Sequence, residues 1–94
     1  MPLEEHIREG LKKSFKERRG KLEIIADILS VAKKGAKKIA IAHNANLIFD
    51  RVGKYLFYLE KKGLIQHTGG EYKTTEKGKE FLRDYQKMKE LLIT

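Results

Sequence analysis

The sequence predicts a mainly α-helical fold that contains one small β-hairpin. Helical patterns of apolar residues occur on both sides of residues 64–74, and within that stretch a Gly69-Gly70 pair separates two short runs. A Gly-Gly pair can adopt the two positive φ angles of a type I′ turn, so the runs can pair as antiparallel strands. Gly63 before the hairpin and Thr75 after it are typical of a helix C-cap and a helix N-cap. The predicted order is therefore helix, hairpin, helix.

The helix before the hairpin has one apolar face and one positively charged face. At about 100° of rotation per residue, its apolar side chains fall on one side: Phe49, Val52, Leu56 and Leu59. Opposite them, four side chains fall within roughly 80° of each other: Arg51, Lys54, Tyr58 and Lys61. We predict that the first face packs on the core and that the second faces a ligand, a solvated charged surface being the alternative.

Residues 21–34 form the clearest predicted core helix. Two adjacent apolar stripes run along it, with Leu22, Ile25, Leu29 and Ala32 in one and Ile24, Ile28 and Val31 in the other. Few three-helix monomers need so wide an apolar surface. The second stripe is therefore expected to meet the N-terminal segment, the last helix or another subunit, and Gly35 is expected to end the helix.

A short helix over residues 39–43 is predicted between the core helix and the charged helix. Lys37 and Lys38 open it, and its four residues from Ile39 to Ala42 are small enough for close packing. Asn44 is expected to be a left-handed C-cap, because Asn tolerates positive φ. The turn that follows has helix-turn-helix spacing. Together with the hairpin, this order predicts a winged helix-turn-helix domain over residues 21–77.

Two helical segments flank this domain. Residues 1–20 space four apolar residues four apart, which predicts an amphipathic extension: Leu3, Ile7, Leu11 and Phe15. We interpret its basic side chains as a solvated outer face rather than a DNA-contacting arm. Residues 78–94 follow the a and d pattern of a coiled coil through Gly78, Phe81, Tyr85, Met88 and Leu92. The first turns of this long helix are expected to close the core and its distal turns to form a dimer.

The composition favours a polyanionic partner. The 94 residues include 21 Lys and Arg against 13 Asp and Glu, a net charge of +8, which attracts polyanions over long range. Residues 21–63 hold 9 basic and 4 acidic side chains, so most of the excess lies in the segment with the charged helix. The absence of cysteine excludes disulfides and thiolate metal sites, and no apolar run approaches the roughly 18 residues of a membrane span. We expect a soluble cytoplasmic protein associated with the nucleoid.

No catalytic, metal-binding or cofactor-binding motif is recognisable. His6, His43 and His67 stand far apart without metal-ligand spacing, and the glycines form no phosphate-binding loop. The sequence also lacks a nucleophile elbow and a paired-carboxylate motif. The chain is predicted to be a non-enzymatic protein without a metal or a cofactor.

Residues 21–89 resemble an archaeal winged helix family of small basic DNA-binding proteins. The resemblance rests on KLEIIADIL in the core helix, ANL and KYL around the charged helix, EKKGLI before the hairpin, and YKTTEKGKEFL across the hairpin and the last helix. It implies a dimer joined by a C-terminal antiparallel coiled coil. This chain has Ile39, Ala40 and Ile48 where many members have polar or basic residues. Some of the family's phosphate contacts are therefore expected to be absent.

The predicted function is binding of double-stranded DNA by a dimeric transcription regulator or chromatin-associated protein. The resemblance implies that the charged helix enters the major groove and that residues 67–73 form a wing beside the backbone or minor groove. The predicted DNA contacts are Lys37, Lys38, Asn46, Asp50, Arg51, Lys54, Tyr58, Lys61, His67 and Lys73. The predicted dimer interface comprises Phe57, Phe81, Tyr85, Met88 and Leu92. The alternatives are a winged helix used as a protein interaction module, with Phe57 as its contact, and an RNA-binding domain.

Overall fold

The computed structural model describes residues 20–93 of the chain, with side chains through Leu92. Apart from Gly20, the predicted N-terminal extension lies outside the described residues. The described part contains four helices and two strands: α1 (Lys21–Val31), α2 (Lys38–Asn44), α3 (Phe49–Lys61), β1 (Ile65–Thr68), β2 (Glu71–Thr74) and α4 (Glu76–Ile93). This order confirms the predicted mainly helical fold with one hairpin.

Helix α1 lies at the centre of the core. Its buried side chains are Ile24, Ile25, Ala26, Ile28 and Leu29. All but Ala26 come from the two predicted apolar stripes. The helix contacts α2, β2 and α4, so the last helix, one of the three predicted partners, does pack against it. Leu22, which was predicted to lie in the first stripe, is exposed.

Helix α1 is also shorter than predicted, because it ends at Val31 rather than at Lys34. Just beyond it, the Ala32 carbonyl accepts hydrogen bonds from the backbone N–H groups of Gly35 and Thr74, each at 3.0 Å. Carbonyls at the end of a helix have no partner within the helix and are free for such bonds. The Ala32 carbonyl is bonded by the turn, through Gly35, and by β2, through Thr74. The chain there turns away from the helix axis toward the hairpin.

The turn between α2 and α3 contains a left-handed residue, but at Asn46 rather than at the predicted Asn44. Asn46 has a φ of 56°. Its N–H bonds to the His43 carbonyl at 3.2 Å, and the Leu47 N–H bonds to the Ala42 carbonyl at 2.9 Å, the pattern of a Schellman C-cap. Asn44 is instead the last residue of α2, where its side-chain amide donates to a carbonyl one turn earlier at 2.8 Å.

Helix α2 buries only one side. Ile41 and Ala42 are buried and Ala40 is half-buried, whereas Ile39 is 70% exposed. The expectation of close packing for all four residues was therefore wrong at Ile39. At about 100° per residue, four consecutive side chains cannot all face one neighbouring helix.

Strands β1 and β2 form the predicted hairpin. They pair in antiparallel register from Ile65 and Thr74 down to a two-residue loop. Gly69 and Gly70 in that loop have φ angles of 59° and 81°, as a type I′ turn requires. The glycine pair therefore sets both the turn type and the strand register.

Strand β2 has a second partner that the sequence did not predict. Ala36 and Tyr72 exchange two backbone hydrogen bonds of 2.9 and 2.8 Å. The buried Thr74 donates its hydroxyl hydrogen to the Leu29 carbonyl at 2.6 Å. Both connections hold the base of the hairpin against α1 and the loop after it, so the wing has a fixed base.

The junction between α3 and α4 is closed by hydrogen bonds. Gly63 ends α3 with the predicted left-handed conformation, at a φ of 75°. The predicted N-cap Thr75 accepts the N–H of Gly78 at 3.1 Å and donates its hydroxyl to the Gly63 carbonyl at 2.6 Å. A Cβ placed on Gly78 would overlap the Leu64 carbonyl oxygen, so this close approach requires glycine. The end of α3 therefore fixes the start of α4.

Helix α4 packs only along its first half. Leu82 is buried in the core, and Phe81 and Tyr85 pack against it while partly exposed, with their rings stacked 6.3 Å apart. Met88 and Leu92 farther along are exposed, as is Leu91. The prediction that the first turns close the core is confirmed. Gly78 of the predicted seam is buried, and so is Leu82, which lies beside the seam rather than in it.

Candidate nucleic-acid interface

Helix α3 presents the predicted charged face to solvent. Val52, Leu56 and Leu59 are buried, so the helix directs the opposite side chains outward. The predicted charged-face residues are all exposed: Arg51, Lys54, Tyr58 and Lys61. Phe49 was predicted to pack with the inner face, but it is 50% exposed. As the first residue of α3, it lies beyond the edge of the core and contacts Lys38 instead.

Three of these side chains come together at one concavity. A cavity of about 360 Å³ lies between α1 and α3, and its described lining is Lys21, Ile25, Arg51, Lys54, Tyr55 and Tyr58. Lys62 lies outside this lining, with its Nζ 5.7 Å from the centroid of the Tyr58 ring. Cationic side chains grouped at one opening raise the local positive potential, which favours an anionic ligand.

Lys21 and Lys62 were not among the predicted contacts. Lys21 precedes Ile25 by one helical turn, so the two share a side of α1, and both line the concavity. Lys62 follows the last residue of α3. The four-residue spacing from Ile25 could have indicated that Lys21 lies on the same side of α1. The packing of α1 beside α3, which brings Lys21 to the concavity, could not be read from the sequence.

The two lysines at the start of α2 lie in different environments. Lys37 is the exposed N-cap residue. Lys38 is half-buried, with its Nζ 4.0 Å from the centroid of the Phe49 ring. Its ammonium also lies beside Gly53, where an added Cβ would approach Nζ to 2.9 Å. Lys38 thus lies across the start of α3, and Lys37 is the more open of the two.

The two predicted wing contacts lie on opposite faces of the hairpin. His67 pairs with Tyr72, and their rings stack with centroids 4.0 Å apart. Lys73 is the neighbour of Tyr72 along β2, and successive side chains of a strand alternate between faces. Lys73 therefore shares its face with Gln66, its cross-strand partner. A phosphate backbone lying flat on one face of the wing would meet only one of the two predicted residues.

The remaining predicted residues lie on α3 and in the turn before it. Asp50 is exposed in the first turn of α3 and Lys61 in the last. Phe57, predicted at a dimer interface, is exposed on α3, with the Lys61 Nζ 5.1 Å from its ring centroid. Asn46 is exposed as well, and its positive φ gives it a role in shaping the turn.

Within residues 20–93, no group of three or more His, Cys, Asp or Glu side chains is arranged to hold a metal ion. No helix of that same part of the chain is both long enough and apolar enough to cross a membrane. His43 and His67 lie on separate elements, α2 and β1.

The order of these elements agrees with the comparison of the sequence with known families. Helices α2 and α3 form a helix-turn-helix, and a two-stranded wing follows. The sequence model of a family described as winged helix-turn-helix matches residues 18–92. The chain belongs to this winged helix-turn-helix family. The match includes the hairpin and nearly all of α4.

Among the solved structures similar to this chain, two illustrate the likeness. One is Sso10a-2, a DNA-binding protein from Sulfolobus solfataricus, with a TM-score of 0.66 and 29% sequence identity over 80% of this chain and 86% of that one. The other is ligand-free NadR, with a TM-score of 0.50 and 20% identity over 93% of this chain and 76% of that one; this likeness concerns the fold alone. No curated protein matches the sequence.

Proposed function

We propose that this protein binds double-stranded DNA with α3 in the major groove, and that it acts without catalysis as a transcription regulator or chromatin-associated protein of the cytoplasm. The observation that carries the proposal is the exposed outer face of α3, the second helix of the helix-turn-helix. Arg51 and Lys54 lie there beside Tyr58, at a concavity that also contains Lys21. In helix-turn-helix proteins the second helix occupies the major groove.

Charge supports a nucleic acid as the ligand. The net charge of +8 attracts phosphate and favours counterion release, and Lys37 and Lys73 extend the cationic surface to the start of α2 and to the wing. The similar protein Sso10a-2 is a DNA-binding protein. In this proposal Lys37, Lys38 and Lys73 contact phosphates, whereas Asp50, Arg51, Lys54 and Tyr58 face base edges.

We further propose that the protein is a homodimer joined through the distal half of α4. Met88 and Leu92 are exposed there, one turn apart and next to Leu91. Contiguous apolar surface of this kind usually marks an interface. The half-buried Phe81 and Tyr85 continue the same seam toward the core. Two heptads alone associate weakly, so the interface is expected to include further surface.

A titration of labelled oligomers at two salt concentrations tests the proposal. A fluorescent duplex, its single strand and an RNA of the same sequence are each titrated with the full chain, and binding is followed by anisotropy. Double-stranded DNA is expected to bind best, with affinity falling steeply as salt rises because several phosphates are neutralised.

The other outcomes identify the alternatives. Preference for RNA or for the single strand would indicate an RNA-binding or single-strand-binding domain. No binding to any oligomer at low salt would contradict nucleic-acid binding and favour a protein interaction module.

A further inference from the structure

Two phenylalanines on α3 are exposed where a soluble helix commonly carries polar residues. Phe49 is 50% exposed and Phe57 is 63% exposed. Neither is part of the core cluster or packs against it, so core packing does not account for them. The proposed function assigns its base contacts to charged and polar side chains and leaves both rings without a role.

The two rings lie on one side of the helix. Phe49, Gly53 and Phe57 follow each other at intervals of four residues, so the direction of the side chain drifts by only about 40° at each step. The distance along the axis from the first to the last is about 12 Å. Gly53 has no side chain, and the end of the Lys38 side chain lies next to it, between the two rings. We call Phe49, Gly53 and Phe57 the apolar stripe.

A lysine ammonium lies near each ring of the apolar stripe. The Lys38 Nζ is 4.0 Å from the centroid of Phe49, and the Lys61 Nζ is 5.1 Å from that of Phe57. The position of the Lys38 ammonium requires glycine at position 53, because a Cβ there would lie only 2.9 Å from Nζ. The stripe therefore suits a ligand that offers apolar groups to the two exposed rings and negative charge to the ammonium groups beside them.

We propose that the apolar stripe reads the C5-methyl groups of thymine in the major groove. Thymine is the base that presents a methyl group there, and phenylalanine is one of the side chains that contact it. The groove is bordered by phosphates, to which Lys38 and Lys61 can turn. Phe49 is the first residue of α3, and the start of the second helix is the part that reaches base edges in helix-turn-helix proteins. This inference rests on the proposed DNA binding and specifies its preferred substrate as thymine-bearing duplex.

The test replaces thymine by deoxyuridine, which removes only the methyl group from each base. Two labelled duplexes of about two helical turns, one with thymine and one with deoxyuridine throughout, are titrated with the full chain under the same salt. A second pair of G·C-rich duplexes carries cytosine or 5-methylcytosine. We expect the methylated member of each pair to bind more tightly, by roughly fourfold for each methyl group buried.

The variant Phe49→Ala with Phe57→Ala assigns the effect to the stripe. Both side chains are exposed and alanine favours helix, so the fold is expected to survive, as circular dichroism can establish. The ratio of thymine to deoxyuridine affinity should fall toward one, while the slope of affinity against salt stays unchanged. Leu22→Ala removes an exposed apolar side chain from α1 and serves as the matched control, whose ratio should equal that of the wild type.

The possible outcomes separate this inference from the proposed function. Tight binding of both duplexes with equal affinity would overturn methyl reading and leave DNA binding intact. A ratio that persists in the double variant would overturn the assignment to the apolar stripe. A double variant with altered oligomeric state and an unaltered ratio would overturn it in favour of a contact between copies. No duplex binding by the wild type would overturn both proposals.

Discussion

Helices α3 and α4 are both amphipathic, but they leave different chemistry exposed. Helix α3 buries Val52, Leu56 and Leu59, spread over most of its length, and exposes cations and aromatic rings. Helix α4 buries Leu82 near its start and exposes Met88 farther along, together with two leucines. A helix whose apolar face is satisfied within the domain has its outer face available for a ligand. A helix that continues beyond the core retains apolar surface, the usual mark of a protein interface.

The largest effect is expected at the distal end of α4. Met88→Glu with Leu92→Glu should convert the proposed dimer to monomers. Each apolar side chain fully buried at the interface contributes about 1.5–3 kcal/mol, and a twofold dimer loses four of them. Light scattering after size exclusion, at tens of micromolar protein, measures the mass. DNA affinity should weaken as well, because the two α3 helices would no longer be linked.

A matched control separates charge from apolar contact in this experiment. Gln86→Glu with Lys89→Gln changes the charge of the same exposed helix segment by the same amount and should leave the dimer intact. A wild-type monomer, or a dimer that persists in the Met88 and Leu92 variant, would remove this interface from the account.

The first half of α4 should respond differently, because it belongs to the core. Leu82→Ala is expected to lower the free energy of unfolding by about 2–5 kcal/mol through reduced burial and a cavity. Ile39→Ala, at an exposed position of α2, should change it by no more than about 0.5 kcal/mol. Urea denaturation at one protein concentration compares the two. Equal effects would mean that α4 does not close the core as described.

The outer face of α3 should affect binding without affecting the fold. Arg51→Ala with Lys54→Ala is expected to weaken duplex binding by about 1–3 kcal/mol for each side chain that contacts a base, and by less for a side chain that contacts phosphate. Lys87→Ala with Lys89→Ala removes the same number of charges from the exposed part of α4 and serves as the control. If both pairs weaken binding equally, the effect comes from net charge and not from α3.

The smallest effect is expected at the wing. Lys73→Glu should lower affinity about equally for all duplex sequences and reduce the salt slope by about one, since phosphate contacts carry no base information. Anisotropy at several salt concentrations measures both quantities, with Lys87→Glu as the control of equal charge change. A sequence-selective loss would instead place Lys73 at base edges. His67 lies on the other face of the hairpin, so His67→Ala should not reproduce the change in slope.

Local chemistry made part of the fold predictable from the sequence. Gly69 and Gly70 are needed for a type I′ turn, Gly63 for a left-handed C-cap, and Thr75 supplies the N-cap oxygen, so each could be assigned from neighbouring residues alone. The charged face of α3 followed from helical periodicity in the same way. These features depend on interactions within a few residues.

Several features that were missed depend on contacts distant in sequence. Ala36 joins Tyr72, and Lys38 crosses to Phe49; neither residue signals its partner locally. The choice of Asn46 over Asn44 for the left-handed position was local but ambiguous, because either Asn tolerates positive φ. The sequence alone likewise did not show whether α4 or another partner covers the second apolar stripe of α1.

The central claim is that α3 and the wing contact DNA while the distal half of α4 does not. The most direct measurement is a titration of the isotopically labelled protein with an unlabelled duplex, followed through backbone amide NMR signals. We expect the largest shifts or broadening at residues 49–61 and 65–74, with little change at residues 86–92. Largest changes at residues 86–92, with those of α3 unaffected, would contradict it.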